Sequence, residues 1–112
     1  MVKRTWILDT EVYPNYVLIG FKAVDTGEVC SVEVDGPDRR LSKEDRLWLR
    51  KFMRRNRTVG FNSIGFDLPI IYGAASGLTV RELKRMADDI IVGGMKSWEI
   101  EGEYGVSIPR AN

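Results

Sequence analysis

Apolar side chains recur at every second position through the first third of the chain. Residues 5–12 put Trp6 and Leu8 on one side of an extended backbone and Ile7, Asp9 and Glu11 on the other, because successive strand side chains point to opposite faces. Residues 15–25 alternate in the same way through Val17, Ile19, Phe21 and Ala23, and residues 28–34 through Cys30, Val32 and Val34. Pro14-Asn15, Asp25-Thr26-Gly27 and Asp35-Gly36-Pro37-Asp38 supply turn chemistry after each run,. The pattern predicts three antiparallel strands in a meander.

The period then lengthens. Ser42 has the chemistry of a helix N-cap, with Asp45 three residues on as a capping-box partner,. The helix is predicted to run to about Asn56, with Trp48 and Phe52, and Leu49 and Met53, forming its apolar stripe,. Arg46, Arg50 and Arg54 form a separate basic row. Residues 58–61 are short and apolar, as a buried strand would be. Reached through a helix, this strand is expected to lie parallel to strand one, giving the order 3-2-1-4. Asp67 opens a short helix with Pro69 in its first turn, where proline is tolerated. Thr79-Val80-Arg81-Glu82 is a capping box for a helix to about Val92,. Val80, Leu83, Met86, Ala87, Ile90 and Ile91 are expected inward, and Gly93-Gly94 ends the helix. No motif or element is predicted from Met95 to Asn112, where Trp98 sits among Glu99, Glu101 and Glu103. The fold class implied is α/β in the broad sense: one domain over residues 1–112, with a mixed sheet and flanking helices.

Composition narrows the setting. The chain has 112 residues, enough for one domain with its own core,. No apolar run reaches the roughly 18 residues of a membrane span, and Asp9 and Glu11 interrupt any signal-peptide core. Cys30 is the single cysteine and cannot form an internal disulfide. A reducing, cytoplasmic setting without a membrane partner is therefore expected. The chain contains no histidine, which excludes a histidine ligand or histidine general base among these residues. The net charge of +1 conceals an asymmetry: residues 39–57 hold nine basic and two acidic residues, a balance of +7. The remainder, with eight basic and fourteen acidic residues, balances at −6. Such a basic stretch either attracts phosphates or is a solvated helix face.

The acidic positions carry the candidate chemistry. Asp and Glu are depleted in strands, yet Asp9 and Glu11 share one strand face. Two neighbouring carboxylates resist joint ionisation. A divalent ion removes that penalty, and hard oxygen ligands suit Mg²⁺ or Mn²⁺. A second acidic motif, Asn62-Ser63-Ile64-Gly65-Phe66-Asp67, follows the apolar Val59-Gly60-Phe61. Metal-assisted phosphodiester cleavage is the chemistry suggested. Each residue also has a plainer role: solvated strand-end acids for Asp9 and Glu11, a dipole-stabilised helix-start acid for Asp67, a turn for Asn62. Tyr13 would be a surface tyrosine before a turn, and Phe66 a packing residue.

Asp-x-Glu ending a first strand, then Asn-x-x-x-Phe-Asp at the start of a later helix, resembles the first two motifs of the DEDD-type 3′–5′ exonucleases. The resemblance spans Thr5 to about Gly94. It implies an RNase H-like fold, with three antiparallel strands and a fourth parallel to strand one. It also implies two Mg²⁺ or Mn²⁺ ions about 4 Å apart and the 3′ end of single-stranded DNA as substrate. Such domains accompany DNA polymerases, including phage ones, as proofreading modules, so a polymerase domain in the same parent chain is a further implied partner. By the same resemblance Asp9 would bridge both ions, Glu11 would hold the ion that activates water, and Asp67 the ion at the leaving oxygen. Asn62 would lie beside the bound strand. Tyr13 is a candidate for stacking on a terminal base, and Arg46, Arg50 and Arg54 for phosphate contacts.

The family's third motif, Tyr-x-x-x-Asp or His-x-x-x-x-Asp, supplies a fourth carboxylate and a group that orients water. Neither pattern occurs here: Tyr104 is followed four residues later by Ile108. The chain is therefore expected to be the N-terminal part of an exonuclease domain and nearly inactive alone. The alternatives are a non-catalytic RNase H-like module that binds nucleic acid or protein, and a small nuclease that completes its site by dimerisation.

Overall fold

The computed structural model describes residues 3–61 and 63–109, without the side chains of 63 and 64. Four strands, β1 (Thr5–Tyr13), β2 (Tyr16–Ala23), β3 (Val29–Asp35) and β4 (Arg57–Val59), form one sheet in the order β3-β2-β1-β4. β2 is antiparallel to both of its neighbours, and β4 is parallel to β1. Four helices accompany them: α1 (Lys43–Arg55), α2 (Leu68–Ala75), α3 (Val80–Ile91) and α4 (Ser97–Tyr104). This is an α+β fold with a mixed sheet, as the alternation and the crossover rule anticipated.

Local chemistry fixes the register. The turn between β1 and β2 is only Pro14-Asn15, which sets Tyr13 opposite Tyr16 and every later pair with it,. Between β2 and β3 the chain turns at Gly27, whose φ of +76° suits a residue without Cβ,. At the start of α1 the Ser42 hydroxyl accepts the Asp45 N–H at 3.1 Å. At the start of α3, Thr79 Oγ1 accepts the Glu82 N–H at 3.2 Å while the Glu82 carboxylate accepts the Thr79 N–H at 2.9 Å. Both caps satisfy amides that a helix start leaves without partners.

The core lies on one face of the sheet. Trp6, Leu8, Val17, Ile19, Phe21, Ala23, Val32 and Val34 are all buried there. α1 lays Leu49 and Phe52 against them. The Phe52 ring lies 4.2 Å from Phe21 and 5.0 Å from Trp6, centroid to centroid, within the range where aromatic pairs add to area burial. Asn56 closes the joint. It caps α1, its Oδ1 accepts the Trp6 indole N–H at 3.0 Å, and its Nδ2 donates to the Phe52 carbonyl at 3.1 Å. The next residue enters β4, with the Arg57 N–H bonded to the Arg4 carbonyl at 2.8 Å. A smaller core of Ile70, Met86, Ala87, Ile100 and Val106 joins α2, α3 and α4.

Three expectations need correcting. The fourth strand is shorter than residues 58–61 and is not buried: Val59 is half-exposed and Phe61 fully exposed. It is an edge strand with one open face, so its apolar run does not mark burial. Ile91 points outward, 70 % exposed, because α3 buries only the stripe through Val80, Leu83, Met86 and Ala87. The stretch expected to be featureless holds α4, with Ile100 buried and Gly105 ending it at a φ of +66°. The Glu99 carboxylate accepting the Lys96 N–H at 3.0 Å was its legible start signal, and Gly105 its legible stop. Among the described residues no helix is long and apolar enough to cross a membrane.

The Asn56 joint can be tested directly. Asn56→Ala leaves the indole N–H of Trp6, a residue only 4 % exposed, without its partner. Such a loss should cost about 1–3 kcal/mol. In a Trp6→Phe background the same substitution should cost less, because no donor remains to be stranded. Urea unfolding of the four proteins in this cycle measures the difference.

Candidate functional site

β1 carries the candidate site, and its pleat splits that site between two faces. Trp6, Leu8, Thr10 and Val12 turn toward the core, while Ile7, Asp9, Glu11 and Tyr13 turn away from it. Asp9 and Glu11 are therefore side by side on the open face, as the sequence spacing requires. Among the described residues neither carboxylate makes a hydrogen bond or an ion pair. Their surroundings are open. Across β2 the neighbour of Asp9 is Gly20, which has no side chain to cover it. On the other edge the pairing with β4 ends at Ile7 and Val59, two residues before Asp9. The acids thus lie within β1, just past the stretch that pairs with β4.

Asp67 reaches the same end of β1 from the other side. The chain leaves β4, passes through a π-helical turn at Ser63–Asp67 and enters α2. Asp67 is 8 % exposed and makes no helix-capping bond. Its Oδ1 instead accepts the Thr10 hydroxyl at 2.7 Å. Burial raises its pKa above the ordinary aspartate value; the Thr10 hydrogen bond opposes that shift and the charge of Asp9 adds to it. Asp67 is thus near enough to feel the charge of Asp9, although it is bonded to a side chain of the covered face. Thr10 is the site residue that sequence reasoning missed. The available signal was a polar residue placed by strand alternation on the core face, where it needs a partner.

The remaining candidates are dispersed. Tyr13 is half-exposed on the open face beyond Glu11. It neighbours Tyr16, whose hydroxyl is bonded to Glu33. That bond chiefly, with the charges of Glu33, Glu11 and Asp35, pushes the Tyr16 pKa up to about 12. Asn62 lies outside the described residues. Phe66 is partly buried against the smaller core, in the packing role expected of it. Arg46, Arg50 and Arg54 lie on α1, which covers the core face, so the basic row and the Asp9–Glu11 pair occupy opposite sides of the sheet.

These residues fit a divalent ion in part. Asp9 and Glu11 offer unpaired carboxylate oxygens on an accessible face. Mg²⁺ is commonly held by one or two carboxylates, with water and substrate phosphate completing its shell. Asp67 is committed to Thr10, and among the described residues no group of three acids, cysteines or histidines is gathered to hold a metal. Asp9 and Glu11 are two carboxylates on one exposed face, and the three-carboxylate, two-ion arrangement is not assembled among the described residues. No protein-family model, no curated protein and no solved structure matches the chain.

Asp67 gives a pH test with a definite sign. Its folded pKa is raised above the unfolded value, so the folded state holds this proton more tightly. That contribution favours folding below the unfolded value and is lost as pH rises through the raised folded one. At neutral pH the buried carboxylate is a net cost. Asp67→Asn keeps an oxygen for Thr10 and removes the charge. It should raise the melting temperature at neutral pH, with the gain vanishing by roughly pH 3, below the ordinary aspartate value. Thermal melts at the two pH values check this; a lower melting temperature at neutral pH would show that the buried carboxylate is not a net cost there.

Proposed function

We propose that these residues form the RNase H-like part of a DEDD-type 3′–5′ exonuclease acting on single-stranded DNA, of the kind that accompanies DNA polymerases. One observation carries this: Asp9 and Glu11 stand on the open face of β1, and Asp67 of the second motif is hydrogen-bonded to Thr10, the strand residue between them. A buried carboxylate whose pKa burial raises, close to exposed acids, is a functional-site candidate, and Asp67 is such a group. The RNase H-like assignment is part of the proposal, supported by the mixed sheet order and the parallel β1–β4 pair.

In this mechanism Asp9 and Glu11 would hold a divalent ion on the open face. The ion would supply Lewis-acid stabilisation to the phosphate under attack. Thr10 holds the Asp67 carboxylate at the strand end, and Asp67 must exchange that hydrogen bond for the site before it can contribute an oxygen. Tyr13, exposed beyond Glu11, offers a ring on which a terminal base can stack. These residues supply neither a fourth carboxylate nor a Tyr or His to orient water. Misplacement by about 1 Å can cost on the order of 100-fold in rate, so alone they should be nearly inactive.

A second proposal rests on the Thr10–Asp67 bond. An acid used as a structural hydrogen-bond acceptor suits a non-catalytic RNase H-like module that binds nucleic acid or protein. Two measurements separate the readings. Under the nuclease reading, Mn²⁺ should raise the melting temperature of the wild type and leave Asp9→Ala unmoved. A polypeptide extending these residues through a Tyr-x-x-x-Asp motif should degrade an end-labelled oligonucleotide from its 3′ end with Mg²⁺, and Asp9→Ala should abolish this. Robust digestion by the 112 residues alone would remove the need for a fourth carboxylate. An extended protein that binds DNA without cleaving it would favour the module.

A further inference from the structure

A groove of about 330 Å³ lies between α1 and the Ala75–Gly77 segment that follows α2. Four cations, Arg40, Lys43, Arg46 and Arg50, line it, and no carboxylate does. Among the described residues none of the four is in a salt bridge; Glu44 and Asp45 share the first turn of α1 with Lys43 but do not line the groove. Unpaired cations lining one concavity repel one another, and a polyanion relieves that repulsion.

Two of these cations are held in place. Arg46 Nη1 donates to the Leu41 carbonyl at 2.9 Å, and Arg50 Nη2 donates to the Ala75 carbonyl at 2.9 Å. Each bond uses one of the five N–H donors of a guanidinium. It also fixes a long side chain whose freedom a ligand would otherwise have to freeze. Gly77, with a φ of +93°, lies against the Arg46 guanidinium, where a Cβ would come within 3.8 Å of its Nη1. A small residue there leaves the concavity open. Arg50 also binds a carbonyl at the negative end of α2, which is stabilising by itself. Arg40 and Lys43 are exposed and have no such role.

We propose that this groove binds the phosphates of a nucleic-acid strand, at a site separate from the carboxylates of β1. α2 separates the two: Asp67 precedes its first residue and the groove borders its last, eight residues on, roughly 12 Å along a helix. Arg46, Arg50 and Arg54 recur every four residues, a rise of roughly 6 Å, so the cationic track continues from the groove along α1. That spacing is of the order of the separation between successive phosphates on an extended strand. The phosphate chemistry rests on the groove itself; the choice of a nucleic-acid strand as its source rests on the nuclease reading.

The test is fluorescence anisotropy with a 5′-labelled single-stranded oligothymidylate, in EDTA, over a range of NaCl concentrations. Arg40→Gln/Lys43→Gln removes two groove charges without touching the anchored arginines. It should weaken binding about tenfold or more at low salt and make the log–log salt slope shallower by about 1.4, the single-strand value for two phosphate contacts. Lys3→Gln/Lys22→Gln removes the same charge elsewhere and should leave the slope unchanged. Thermal melts of both double variants should match the wild type. Equal losses in the two double variants, or no loss in the groove variant, would overturn the proposal. Binding of inorganic tripolyphosphate without binding of the oligonucleotide would overturn the strand as ligand. Because no divalent ion is present, a protein that never cleaves DNA leaves this result untouched, so the groove and the nuclease reading fail separately.

Discussion

The period of two along β1 is the constraint on which the rest of the molecule depends. Trp6 and Leu8 must face α1 for the core to close, and once they do, Asp9 and Glu11 are committed to the open face and Thr10 to the covered one. Asn56 ties the same strand to the end of α1 and the start of β4 through the Trp6 indole. A slip of one residue in β1 would bury both acids and expose the tryptophan. The two-residue turn at Pro14-Asn15 and the Trp6–Asn56 bond guard that register from the two ends of the strand.

Much of this was legible because it is local. Strand alternation, turn residues and the Ser42 and Thr79 caps each act within a few positions, and the sheet order follows from a meander joined to a parallel strand by a helix. What was not legible depends on distant partners. Nothing near Asp67 says that it will accept a hydrogen bond from Thr10, a residue 57 positions away. Nothing near Arg46 and Arg50 says that they will be anchored to the carbonyls of Leu41 and Ala75. The exposure of Phe61 escaped for a similar reason: an apolar run looks the same whether the sheet is covered on one face or on both. α4 was missed although Glu99 and Gly105 mark its ends. Its interior alternates acids with apolar residues, and its interior gives no helical stripe beyond Ile100.

Asp67 shows how the site and the core compete. A carboxylate at 8 % exposure without a cation partner opposes folding at neutral pH,. A sequence selected only for stability would have little reason to keep an acid there. Thr10 offsets part of the cost, but a hydroxyl donor does not neutralise charge. The residue therefore makes physical sense as a strained position with a use, whether it releases Thr10 to join Asp9 and Glu11 or holds the strand end in shape for a partner.

The charges are sorted by face. Among the described strand residues the open face of the sheet holds Asp9, Glu11, Glu33 and Asp35 against the cations Lys22 and Arg57, while the cations of α1 lie on the other side of the layer. A polyanionic strand is drawn to the second surface and repelled by the first. If one strand is to meet both, it must round an edge of the sheet, and its approach to Asp9 and Glu11 is eased once their charge is neutralised. A divalent cation does that, since two carboxylates and one M²⁺ sum to zero. Under the proposed nuclease reading, metal would then admit the substrate as well as act on it, and phosphate held in the α1 groove would keep the strand close while the acidic face is still unmetallated.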